Sequence, residues 1–428
     1  MTSMDINYKN QKHYNSKKYP MRQGYFWMGL IWLLSKIVLI GKKYKIEKIN
    51  MDGLKPPYMI LSNHMYFIDF ELAALATFPH RANNVVNVDG YYRRPFLMEW
   101  IGCICTRKFT NDPHLVRSIY KVLRRGDVLC MYPEARYSPI GTTAFLPETL
   151  GMLVKRSRVP LVVTIHRGNY LHSPFWNFRK KRKVPFHTTI TQVLTAEQIA
   201  EMSVPEINAA IKEAMQYDDY KYQKENGIKI TEPFRAEGLH KVLYQCPACK
   251  TESKMSSKGT ELYCTECGKR WNLEEDGSLR ALTGETEFPH IPDWFEWERS
   301  EVKRQIEEGS YSFKDDVYVY SLPNCWRFNR IGDARLTHDP ENGFVLTGEY
   351  NGKEYRIQRL PDGMDSLHIE YDYCYIDPFD CIDISTDNDS FYCYPTKSNV
   401  VTKLAFATEE IYKLRREKRE DARKAART

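Results

Sequence analysis

Between Tyr58 and Gly168 short, continuous apolar runs alternate with stretches of helical period. The segments YMILSNH, NNVVNVDG, DVLCMYPE and VPLVVTIHRG read as buried strands. Between them FELAALATF, LVRSIYKVLRRG and LGMLVKRS carry apolar residues at helical spacing, and two of these end at Pro79 or Gly126. Buried strands separated by helices predict an α/β fold, a mostly parallel sheet flanked by helices, over residues 46–225. Its last element, VPEINAAIKEAMQYDDYKYQKE, reads as one charged amphipathic helix.

The pattern differs on either side. Residues 1–23 are polar and predict a flexible N-terminus. From Gly24 to Gly41 the chain is apolar except for Ser35 and Lys36, which is short of the roughly 20 residues a bilayer-spanning helix needs. Trp27 and Trp32, with Lys42, Lys43 and Lys45 behind them, are residues of a membrane interface. Residues 24–45 are therefore expected to form a membrane-associating helix lying in, or dipping into, one leaflet, with a buried core helix as the alternative. From about residue 281 the texture becomes short alternating segments, with Asn-Gly pairs at 342–343 and 351–352 as hairpin signals. A β-rich domain with a C-terminal helix is expected over 281–428, and a pleckstrin-homology-like module is a candidate for it.

Composition narrows the setting. Of 428 residues, 42% are hydrophobic and 27% charged, which is globular and long enough for two or three domains. The net charge of +7 suits an anionic partner without deciding one. The chain has 11 cysteines and no visible signal peptide, so reduced thiols or metal ligands are expected rather than a disulfide frame. The expected setting is the cytoplasm, peripheral or monotopic on the cytoplasmic face of the membrane.

Four of the cysteines carry a specific signal. Cys246 with Cys249, and Cys264 with Cys267, form two C-x-x-C pairs separated by a polar loop. Each pair presents two thiolates from one tight turn, and two such turns build a tetrahedral site. A four-cysteine zinc ribbon over residues 240–280 is expected, with a structural role because four thiolates leave no open position. The intervening KTESKMSSKGTE mixes charges, so no nucleic acid is expected.

The remaining chemistry gathers in LSNHMYFIDF, residues 61–70. On a regular helix, His64 and Asp69 would point about 140° apart. They can meet only if His64 lies in a strand-to-helix turn, where a carboxylate on one ring nitrogen would make the imidazole a general base. A plainer reading makes Asp69 the N-cap of a helix beginning at Phe70. Three further segments bear on the choice. NHMYFID, GCICTRK, YPEARYS and VPLVV, in this order, resemble the four motifs of the glycerolipid acyltransferase family, which includes the lysophosphatidate (1-acylglycerol-3-phosphate) acyltransferases. Asn63, His64 and Asp69 match the first motif and Gly102 and Arg107 the second. Pro133 and Glu134 match the start of the third, and Val159 and Pro160 the fourth. The resemblance covers about residues 25–215. In the third motif the family's glycine is Ala135 and its arginine position is Tyr137, with Arg136 one place early and Ser138 in place.

The resemblance implies phospholipid biosynthesis: transfer of a fatty acyl group from acyl-CoA or acyl-carrier protein to a lysophospholipid hydroxyl, such as that of lysophosphatidate. It implies His64 and Asp69 as catalytic residues and Arg107, Glu134, Arg136 and Ser138 as substrate-binding ones. The basic run at 179–183 would suit anionic lipid. The alternative is a non-catalytic lipid-binding or scaffold protein on a degenerate acyltransferase fold.

Overall fold

A computed structural model describes residues 12, 14–373 and 375–425. The expected flexible N-terminus lies mostly outside these residues. From Tyr14 onward it is tied down: Tyr14 donates to Glu99, Arg22 pairs with the buried Asp127, and Gln23 is buried.

The N-terminal half begins with helix α1 (Tyr25–Val38) and strand β1 (Tyr44–Ile49). Then come β2 (Met59–Ser62), α2 (Ile68–Thr77), β3 (Ala82–Asn87), α3 (Pro95–Trp100), β4 (Ile104–Thr106) and α4 (Pro113–Arg124). β5 (Val128–Met131), α5 (Thr149–Ser157), β6 (Leu161–Arg167), α6 (Asn169–His172) and β7 (Phe186–Leu194) complete the sheet. Its strand order is β1-β7-β6-β2-β5-β3-β4. The five strands from β6 to β4 are mutually parallel, β7 runs antiparallel to β6, and β1 is parallel to β7. The sheet is thus mixed at one edge, because β7 follows β6 after a short excursion that lets the chain double back. β2 lies between β5 and β6, and the ends of these three parallel strands converge on one edge.

Three helices follow, α7 (Ala196–Glu201), α8 (Val204–Ala214) and α9 (Asp219–Glu225). The single helix expected over 204–225 is broken at Met215–Asp218. Asp218 caps α9 by accepting from Lys221 N, and Asp219 N donates to Gly141 O. The break turns the Tyr217 hydroxyl onto Glu134.

A four-stranded antiparallel sheet of β8 (Met255–Lys258), β9 (Glu261–Cys264), β10 (Arg270–Leu273) and β11 (Leu279–Ala281) carries the paired cysteines. Helix α10 (Ile291–Glu307) then occupies residues expected to be β-rich. Pro292 in its first turn and the buried Ile291, Trp294, Phe295, Glu298 and Val302 on one side are a helical signature. The last sheet contains β12 (Phe313–Ser321), β13 (Asn329–Asp339), β14 (Gly343–Tyr350), β15 (Lys353–Arg359), β16 (His368–Glu370), β17 (Cys381–Ser385) and β18 (Ser390–Pro395). Its order, β15-β14-β13-β12-β18-β17-β16, is a four-stranded and a three-stranded meander joined through β12 and β18. Asn351 and Gly352, both at positive φ, make the two-residue hairpin between β14 and β15. Helix α11 (Val401–Ala425) closes the chain and packs on α10.

The three parts share one core. A continuous buried cluster runs from Met59 and Leu61 in β2 through Trp271 and Trp294 to Leu346 and Phe406. The same seam holds a buried ion cluster. Glu409 of α11 pairs with Arg136 at 2.5 Å and with Arg299 of α10 at 2.5 Å. Burial alone would raise the Glu409 pKa, but the two guanidiniums hold it down at about 2. Glu409→Gln leaves two buried guanidiniums without their shared carboxylate and is expected to cost about 3–5 kcal/mol in chemical denaturation. A depressed carboxyl stabilises the fold above its unfolded pKa. This contribution is therefore expected to fade as pH falls from about 4.5 toward about 2.

Candidate active site

His64 lies just past the end of β2, in the turn that enters α2, with its Nδ1 3.0 Å from Asp69 Oδ2. Asp69 is the second residue of α2, not its N-cap. Its Oδ2 also accepts from the amides of Met65 at 2.6 Å and Tyr66 at 3.0 Å, so one carboxylate fixes both the turn and the ring. Oδ1 accepts from Asn169 Nδ2 at 2.6 Å. Asp69 is completely buried, which would raise its pKa, yet these hydrogen bonds and the imidazole hold it below the ordinary value. Burial pushes the His64 pKa down, against the pull of Asp69.

The frame around the pair comes from neighbouring parallel strands. Asn63 brackets β6 by donating to His166 O and accepting from His166 N. Asn169 follows the end of β6 at Gly168, and its role has no signature in the sequence spacing. After β5, Tyr132 stacks on the imidazole and Tyr137 packs against it at a 42° tilt, with ring centroids 3.9 and 4.2 Å away. These two aromatic contacts hold the ring plane. His64 itself keeps 22% of its side chain exposed.

The other site residues expected from the sequence take different positions. Ser138 is buried: its amide donates to His64 O, while its hydroxyl accepts from Gly141 N and donates to Thr142 O. It builds the loop that holds His64. Glu134 is buried and accepts from the Tyr217 hydroxyl with both oxygens, and burial raises its pKa to about 8. Burial thus favours its neutral, protonated form. Arg136 points away from His64 into the ion cluster with Glu409, and its NH1 faces Leu367 O. The one-residue displacement of this arginine is the reason, since Tyr137 takes the direction that faces the imidazole.

Arg107 is turned toward the C-terminal sheet. NH1 donates to Leu322 O at 3.0 Å and Ser390 Oγ at 2.8 Å, and NH2 to Pro323 O at 2.7 Å and Asn388 O at 3.1 Å. Next to it Lys108, whose pKa burial lowers, lies 2.8 Å from His368 Nε2. His368 also faces Asp383 and Glu370.

Ala135 adopts φ +53, a left-handed conformation that costs an L-residue about 1–2 kcal/mol. Ala135→Gly is expected to stabilise the protein by about 1 kcal/mol, seen as a higher unfolding midpoint.

A second candidate centre lies in the β8–β11 sheet. The Sγ atoms of Cys246, Cys249, Cys264 and Cys267 all lie within 4.8 Å of one another. Cys246 to Cys267 and Cys249 to Cys264 are each 3.7 Å apart. A tetrahedron with zinc–sulfur bonds of about 2.3 Å has edges of about 3.8 Å, so the four thiols could bind a metal ion and are compatible with zinc. Both turns close alike, with Lys250 N on Cys246 O and Gly268 N on Cys264 O, and Lys250 and Gly268 both at positive φ.

α1 shows an apolar outer face. Phe26, Leu33 and Ile37, with Ile40 just past its end, are at least half exposed, while Trp32 and the C-cap Leu39 pack with Leu72 and Leu75 of α2. Among the described residues no helix is long and apolar enough to cross a membrane.

No protein-family model and no curated protein matches the chain. Among solved structures, it is similar to the 1-acyl-sn-glycerophosphate (LPA) acyltransferase PlsC from Thermotoga maritima. The match has 14% sequence identity and a TM-score of 0.36, and covers 44% of this chain and 76% of that one.

Proposed function

We propose that this protein transfers a fatty acyl group from a thioester donor to a lysophospholipid hydroxyl, with His64 as general base. One observation carries the reading: His64 Nδ1 sits 3.0 Å from an Asp69 carboxylate that three further donors hold in place. A ring nitrogen facing a carboxylate carries the proton, so Nε2 keeps its lone pair. Nε2 takes the proton of the acceptor hydroxyl as its oxygen attacks the thioester carbonyl. The new C–O ester bond forms, the C–S bond breaks, and the proton passes to the leaving thiolate. Asp69 orients the ring and stabilises the transient imidazolium. The four motif matches support the same assignment. Zinc at the four cysteines would serve the fold, since a full set of thiolates leaves no position for substrate.

The exposed apolar face of α1, with Lys42 and Lys43 after it, supports docking at the headgroup level of a membrane, where both lipid substrates reside. The two meanders closed by one helix support a pleckstrin-homology-like reading of the C-terminal part. A scaffold reading is favoured by one observation, that Arg107 and Arg136 are engaged by the protein itself.

The test is purified, zinc-loaded protein with labelled acyl-CoA or acyl-carrier protein and a panel of lysolipids. Turnover is expected, and its absence with every donor and acceptor supports the scaffold. Burial lowers the His64 pKa, which favours the unprotonated base. The rate is expected to be flat near pH 7 and to fall only on the acid side, below the ordinary histidine value of about 6.5. A midpoint above that value contradicts the assignment.

A further inference from the structure

We infer that Arg182 and Arg235 form a binding site for a small phosphate-type oxyanion, in a cleft between α9 and the β10–β11 hairpin. Neither arginine takes part in acyl transfer as proposed above. Arg182 is the one buried member of the basic run at 179–183, at 3% exposure. Its amide donates to His172 O at 2.8 Å, which turns the side chain inward. The guanidinium lies over the Trp176 ring, 5.0 Å from its centroid, and NH2 donates to Arg235 O at 2.8 Å. NH1 is buried without a hydrogen-bond partner. Among the described residues Arg182 makes no ion pair, and Glu232 acts on its charge only from a distance. Arginine is almost never this buried unless paired. The other fully buried arginine, Arg136, has Glu409. Burial pulls the Arg182 pKa down to about 10, against the weaker pull of Tyr220, Tyr170 and Glu232.

Arg182 lines a partly open cleft of about 20 Å³. A water needs about 10–15 Å³ on this scale, so the cleft admits one compact ion and no bulky ligand. Its charged lining is Arg182, Arg235 and Glu274. Glu274 is engaged by Arg280 at 2.7 Å. Arg235 donates to the backbone oxygens of Leu273 and Glu232, and the Glu232 carboxylate accepts from Lys183 N. Two guanidiniums thus face the cleft with no carboxylate bound to either. The Tyr170 and Tyr220 hydroxyls lie 3.3 Å apart and satisfy each other. Gln223 donates to Ile228 O and Glu275 O, which leaves its buried Oε1 without a partner. The cleft therefore offers positively charged donors and one buried acceptor. Hydrogen phosphate answers both, since its oxygens accept from a guanidinium and its hydroxyl donates to an amide oxygen. A water could meet the same hydrogen bonds but brings no counter-charge to the buried cation. The free ion and the terminal phosphate of a small monoester share this chemistry.

The experiment is equilibrium dialysis of the full, zinc-loaded chain against labelled inorganic phosphate, in excess sodium chloride to screen surface charge. Saturable binding of about one ion per chain is expected, with Kd below about 1 mM. Arg182→Gln should weaken it at least about tenfold. Arg182→Lys keeps the charge without the planar fork and should fall between the two. Should Arg182→Gln not fold, Arg235→Gln, at a partly exposed position, carries the same comparison. Absence of saturable binding to the parent overturns the inference whatever the variants do. Binding that the variants retain in full also overturns it, because the ion then sits elsewhere, the His64 site included. Competition by unlabelled glycerol 3-phosphate separates the sources: displacement assigns the cleft to a terminal phosphate, and none assigns it to the free ion. Unfolding midpoints give the second measurement. Phosphate should raise that of the parent more than that of Arg182→Gln at equal ionic strength. An equal rise in both is general salt stabilisation and counts against the site.

Discussion

His64→Ala is expected to lower acyl transfer by about 10²–10⁴-fold while leaving the unfolding midpoint close to that of the parent. The side chain is partly exposed, and its hydrogen-bond partner Asp69 keeps the Met65, Tyr66 and Asn169 donors. Rate and stability therefore separate at this position. Asp69→Asn should not separate them in the same way. It replaces an acceptor of four hydrogen bonds, so the turn and the ring orientation suffer together. A His64→Ala protein that transfers acyl groups at the parental rate removes the imidazole from the chemistry. The comparison needs both readouts, since inactivity with a lowered midpoint would report only on folding.

The second large effect concerns the four cysteines. Structural zinc in small thiolate sites supplies about 10–16 kcal/mol of apparent folding free energy near neutral pH. Elemental analysis is expected to find about one zinc per chain. Cys264→Ser or prolonged chelation should unfold the β8–β11 sheet and expose Trp271, visible as a shift in tryptophan fluorescence. The disturbance should spread, because Trp271 packs against Trp294 of α10 and α10 packs against α11. Acyl transfer should then fall through the loosened seam, although the cysteines touch no substrate. A metal-free protein with a fully folded ribbon and unaltered fluorescence would sink the metal assignment.

The sequence by itself determined the local elements and the chemistry that depends on short spacing. Apolar runs placed β2, β5 and β6, because a strand buried on both faces needs continuous hydrophobic character. The two C-x-x-C pairs placed the candidate metal centre, since each pair is bound to its own turn. The pairing of His64 with Asp69 was also legible, as a condition: it required a turn at His64, and the structure has one. Helix α10 was legible too, in Pro292 and the period of its buried residues, although the alternating segments around it pointed to strands.

The tertiary structure decided where the long-range side chains go. Asn169 lies 100 residues from Asp69, and only the parallel pairing of β2 with β6 brings them together. Arg107 and Arg136 carried the right charge for a phosphate, but the C-terminal sheet and α11 supply closer partners that no local pattern reveals. The break between α8 and α9 has the same origin: Tyr217 gains a buried carboxyl partner in Glu134 that a continuous helix would not reach. Local spacing is encoded in neighbouring residues, whereas the fate of a charged side chain depends on which distant surface removes it from water. That competition is settled only when the separate parts of the chain have packed into one core.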